Sequence, residues 1–102
     1  MRGMRELSER QKKHLRGLAH ALEPKARTGN PGLTPSLVKE IEAQLLAHEL
    51  IKVKVAAADR EARDTLIVRM CAATKAVLVQ RIGNIAVLYK RNTKKPKIEL
   101  PK

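Results

Sequence analysis

The stretch LIKVKV, residues 50–55, decides how the chain is read. It alternates with the two-residue period of a half-buried strand: Ile51, Val53 and Val55 point one way, Leu50, Lys52 and Lys54 the other. One side of that strand needs an apolar layer, and the other is at least partly wet and basic. Both flanks supply helices. Upstream, Thr34 is an N-cap and Pro35 takes the first helical position, where its missing N–H costs nothing. Leu37, Val38, Ile41 and Leu45 give that helix an apolar face ending near His48. Downstream, Asp59 caps a helix to about Thr74, with Ile67, Met70 and Cys71 as its expected core face.

Further out, residues 77–82 and 85–90 read as two apolar strands joined by Gly83-Asn84, a two-residue hairpin turn. Lys25 to Thr28 is short and extended. Ahead of it, Ser8-Glu9-Arg10-Gln11 has the pattern of a capping box and opens a helix expected to reach about Leu22. At ~100° per residue, Leu7, Gln11, Leu15, Leu18, Ala19 and Leu22 share one side, and Arg10, Lys12, Lys13, Arg16 and His20 the other. The expected fold is α/β, a two-layer α-β-α-β-α-β-β sandwich with a four-stranded mixed sheet. Residues 1–98 make one domain, and residues 92–102 are a basic tail, partly ordered at most, that Ile98 and Leu100 could tack to the body.

Charge is the strongest compositional signal: 22 Lys and Arg against 10 Asp and Glu, a net +12. Residues 1–30 hold 8 basic and 3 acidic side chains, residues 31–75 hold 7 and 6, and residues 76–102 hold 7 and 1. Both ends are therefore basic and the middle is balanced. Such an excess on a small domain points to a polyanion, nucleic acid before an acidic membrane, because no basic segment carries a wide bulky apolar face. The chain has no Phe, no Trp and one tyrosine, so it cannot build the platform of rings on which single strands stack. Recognition would have to use phosphates, sugars and shape.

Catalysis is not expected. The glycines of TGNPGLT, residues 28–34, are too close for a nucleotide-hydrolysing P-loop, and Gly32 is followed by Leu33-Thr34 instead of Lys and Ser/Thr. A dinucleotide fingerprint also fails. His14, His20 and His48 lack ligand spacing, Glu40 and Glu42 diverge on their helix, and Cys71 reads as a core thiol. No metal or cofactor is expected. The start, Met1-Arg2-Gly3-Met4, lacks the apolar run of a secretion signal, no membrane span is present, and a single cysteine allows no internal disulfide. A cytoplasmic monomer without a membrane or small-molecule partner is the expectation.

On its own, the 28–34 loop is most simply a tight turn. Ahead of a helix, however, bare glycine main chain can approach an anion, with Asn30, Gly32 and Leu33 as the usable amides. Taken together, LSERQKKHLRGLAH, GNPGLT, HELIKVKV followed by DRE, and VLVQRIGNIAVLYKR closely resemble YhbY-type proteins. These are stand-alone CRM domains (chloroplast RNA splicing and ribosome maturation). The resemblance covers roughly residues 7 to 101. It implies a fold similar to the C-terminal domain of translation initiation factor three, and RNA binding with a Gly-x-x-Gly loop like that of KH domains. Bacterial single-domain members are associated with precursors of the large ribosomal subunit, and plant multi-domain members with intron splicing.

Gly29 and Gly32 match the motif's glycines, whereas Asn30-Pro31 departs from its frequent polar or basic pair and brings no cation. The electrostatic load therefore shifts to the first helix and the strands. The expected function is RNA binding in large-subunit maturation. Lys12, Lys13 and Arg16 would hold phosphates, Gly29, Asn30 and Gly32 would let main chain approach, and Lys25, Arg27, Lys52 and Lys54 would extend the field. That these patches adjoin is implied by the resemblance and not by periodicity. The alternatives are a module docking on an acidic ribosome-associated protein, or a small hydrolase of a phosphorylated ligand.

Overall fold

The computed structural model describes residues 7–29 and 32–101. The elements run α1 (Glu9–Ala19), β1 (Pro24–Arg27), α2 (Pro35–His48), β2 (Leu50–Lys54), α3 (Arg60–Thr74), β3 (Val77–Ile82) and β4 (Ile85–Tyr89). The strands form one mixed sheet in the order β1-β2-β4-β3. β1 pairs with β2 in parallel, while β4 is antiparallel to both β2 and β3.

This topology fixes the layers. The crossovers β1-α2-β2 and β2-α3-β3 both join parallel strands and both move across the sheet in the same direction. With one hand for both crossovers, α2 and α3 must cover the same face. On that face Leu37, Ile41 and Leu45 of α2 and Ile67 and Met70 of α3 pack on Ala26, Ile51, Val53, Ala86 and Leu88. The alternate strand residues Leu50, Val87 and Tyr89 point to the other face, where they meet Leu15 and Ala19 of α1 and the bulged Val79. The class, element order and four-stranded mixed sheet are as expected. The helices lie on both sides of the sheet, however, giving three layers where two were expected. Alternation along a strand shows that it has two faces, but not which helix covers each.

Local chemistry sets the element ends. Ser8 Oγ accepts from Gln11 N at 3.1 Å and Gln11 Oε1 accepts from Ser8 N at 3.0 Å, completing the capping box. Thr34 Oγ1 caps Leu37 N at 3.1 Å and Asp59 Oδ1 caps Ala62 N at 2.8 Å. The first helix stops at Ala19, short of Leu22, and Leu18 stays 41% exposed because the sheet beneath α1 meets only the centre of its apolar stripe. Gly83 takes the positive φ of +59° at the first position of the hairpin turn, as a type II′ connection needs.

Beyond β4 the described residues form no helix or strand, but Ile98 and Leu100 pack against the α1-side core. The anchor is Glu49, the residue after α2, which is fully buried and has a φ of +65°. Its Oε2 accepts from Asn92 N at 2.7 Å and its Oε1 from Ile98 N at 2.8 Å.

Candidate nucleic-acid interface

Leu15 and Ala19 turn one side of α1 into the core, so Lys13 is exposed and Lys12 and Arg16 are part-exposed on its flanks. Glu9 Oε2 lies 3.8 Å from Lys12 Nζ, one helical turn away. With Glu9 almost fully exposed, this pair is worth at most about 1 kcal/mol and yields readily to a stronger anion.

The strand cations lie on the same side of the sheet as α1. Val53 and Ala26 face α2 and α3, so their neighbours Lys52, Lys54 and Arg27 point the other way. Arg27 is the register partner of Lys54, which places two exposed cations side by side at the end of β1 and β2. Lys25 sits in a bulge, between the pairs Pro24–Lys52 and Ala26–Val53, on the sheet's edge strand. Lys52 is half-buried beside Val87 of β4, so its ammonium is less available than that of Lys54.

The loop continues directly from this pair. Thr28 is buried: its N–H donates to Lys54 O at 3.0 Å, and its Oγ1 accepts from Ala56 N at 2.8 Å. The loop base is thereby pinned to the chain leaving β2. Gly32 N then donates to Gly29 O at 3.0 Å, closing a four-residue turn. This corrects the expected donor set. Gly32's amide is used inside the turn, Asn30 and Pro31 lie outside the described residues, and Leu33 is left as the described amide ahead of the Thr34 cap. Gly32 has φ +80°, and a Cβ there would meet Leu66 of α3 at 3.8 Å, an ordinary contact. Glycine is thus required by the backbone conformation and not by crowding.

The electrostatics around the loop are lopsided. The 14-residue α2 begins three residues after Gly32 and has no acidic side chain in its first turn, so its positive dipole end meets the loop uncompensated. On the α3 side, Leu66 also lines an open groove with Asp59, Glu61 and Arg69, a mixed set of charges.

Among the described residues, no group of three or more His, Cys, Asp or Glu could hold a metal ion, and no helix is long and apolar enough to cross a membrane. Burial pushes the half-buried Cys71 thiol up to about 11, favouring the neutral thiol over the thiolate. Burial also raises the Tyr89 phenol, helped by the Glu49 carboxylate and opposed by Arg91. Buried in the α1-side core, Tyr89 offers no ring on which a base could stack.

Sequence reasoning missed Glu49 altogether. Its partners lie 43 and 49 residues onward, and a glutamate beside a helix end looks like an ordinary surface charge. The available signal was its place in HELIKVKV, wedged between an apolar helix face and a strand.

The CRS1/YhbY (CRM) domain family model matches residues 7–90. The chain is 50% identical to an RNA-binding protein of Haemophilus influenzae over 99 residues, covering 97% of this chain and 99% of the relative. It is 38% identical to the probable RNA-binding protein YqeI of Bacillus subtilis over 95 residues, covering 93% of this chain and 99% of that one. The solution structure of a hypothetical Staphylococcus aureus protein, assigned a prospective RNA-binding role, superposes with a TM-score of 0.80 at 35% identity. That match covers 94% of this chain and 100% of the other. The chain belongs to the CRS1/YhbY family and carries its CRM domain.

Proposed function

We propose that this chain is a non-catalytic RNA-binding protein that helps mature the large ribosomal subunit, holding structured ribosomal RNA through α1, the strand cations and the 29–32 turn. The observation that carries the reading is the shared side of Arg27, Lys54 and the α1 cations, bordered at the loop by the unopposed N-terminus of α2. The names of the relatives support RNA as the ligand. The large-subunit role rests on the resemblance to stand-alone CRM proteins. With one tyrosine, and that one buried, binding works through phosphates and shape, which suits folded RNA over a stacked single strand.

The test is Lys12→Ala/Lys13→Ala/Arg16→Ala beside Gly29→Asp, measured against several structured RNAs. The helix variant should weaken binding by a similar factor for every RNA, because phosphate contacts carry no sequence information. The loop variant should weaken it by placing a carboxylate where a phosphate approaches. Parent-level affinity in both variants would overturn the reading.

A further inference from the structure

Residues 92–98 form a loop closed on one buried carboxylate. The two oxygens of Glu49 take the amides at either end, Asn92 at 2.7 Å and Ile98 at 2.8 Å. Asn92 organises the near half: its Oδ1 accepts from both Lys94 N and Lys95 N at 3.1 Å, and its Nδ2 donates to Leu46 O at 3.1 Å. Past the loop, Pro101 O accepts from Gln11 Nε2 at 3.0 Å, joining this segment to α1.

What the loop displays is charge of one sign. Lys94, Lys95 and Lys97 are exposed, and Arg91 adds a fourth cation just before them. No acidic residue interrupts residues 91–98. Among the described residues none of the three lysines is in an ion pair. Between the segment and α1 runs a groove of about 630 Å³ whose lining includes Gln11, Arg91 and Lys97, with Glu99, just past the loop, as its one carboxylate.

Burying a carboxylate is costly unless its oxygens are satisfied, and two short charge-assisted bonds to main-chain amides satisfy these. Apolar packing of Ile98 and Leu100 alone would tether a tail. The carboxylate does more, because it brings both ends of the loop to one point and so fixes how the lysines are shown. Cations held on an ordered main chain lose less freedom when an anion arrives, and their mutual repulsion is relieved by it.

We infer that the Glu49-closed loop 92–98 is a second phosphate-gripping element of the same RNA surface, acting through Lys94, Lys95 and Lys97, with Glu49 and Asn92 as positioning residues. This rests on the RNA-binding reading above.

The experiment measures binding of a hairpin-containing RNA across a salt series for the full chain, Lys94→Ala/Lys95→Ala/Lys97→Ala, Glu49→Gln and Asn92→Ala. Removing three phosphate contacts should flatten the plot of log K against log salt by about 2 to 3. The thermal midpoint should hold, because these side chains are exposed. Glu49→Gln keeps every cation, yet it offers one acceptor and one donor where two amides need acceptors, so affinity should fall several-fold. Asn92→Ala provides the same test of presentation should the glutamine variant fail to fold, and is also expected to bind several-fold more weakly. A lysine variant with the parent's affinity and slope overturns the inference, even where the α1 variant is weakened. Parent-level binding by a folded Glu49→Gln and by Asn92→Ala overturns the positioning role. A parent chain that binds no RNA takes down the functional reading, and this inference with it.

Discussion

Arg27 and Lys54 are register partners across the parallel β1–β2 pairing, two exposed cations at adjacent positions on the side of the sheet that α1 occupies. Like charges directly opposite on a sheet are destabilising, by an amount within the roughly 0.2–1 kcal/mol range of cross-strand pairs. A fold selected for stability alone would place a neutral β-former at one of the two. Lys54→Thr should therefore hold or slightly raise the thermal midpoint at low salt while weakening RNA binding. A melting curve and a titration on the same preparation check both halves. Loss of stability without loss of binding would show that the pair serves the fold.

Gly32→Ala separates backbone strain from crowding. The Cβ finds ordinary contact distance to Leu66, so the cost comes from the positive φ, roughly 1–2 kcal/mol in a urea titration. A neutral result would mean that the turn shifts easily to another conformation. Because Gly32→Asp carries the same penalty, Gly29→Asp is the cleaner probe of anion approach.

Much of the architecture was legible in local pattern. The capping box at Ser8–Gln11, the Thr34 and Asp59 caps and the Gly83-Asn84 hairpin are all settled within a few residues, so the sequence states them directly. The side of the sheet taken by α1 was not legible, because it follows from the sense of two crossovers far along the chain. The exposure of Leu18 was hidden too: a helical wheel gives the direction of a side chain but not the extent of the sheet beneath it. At the site, Lys54 facing opposite to Val53 could be read from alternation. Its partnership with Arg27, the bulge at Lys25 and the internal use of the Gly32 amide needed the register and the turn. The Glu49 anchor left no signal beyond its place between an apolar helix face and a strand, because its partners are main-chain amides, which leave no residue signature.

Cys71 gives the fold an alkaline limit. Burial raises its pKa from 9.0 to about 11, so the folded state favours the neutral thiol. The unfolded chain releases the proton first, and stability present below about pH 9 declines as pH rises toward about 11. Tyr89, raised in the same direction, adds to the decline from its own higher starting point. Cys71→Ala should flatten the stability–pH curve over that window, whatever it does to the stability at neutral pH. An unchanged slope would mean that the thiol reaches solvent.

The central claim is that this surface grips a sugar–phosphate backbone by charge, without ring stacking. Its most direct test is the affinity of the full chain for a structured RNA across moderate to high salt. With about five phosphates engaged by α1 and the strands, log K should fall against log salt with a slope near −4, steepened by about a further 2 to 3 where the 92–98 loop joins them. A slope near zero, with binding intact, would contradict the account.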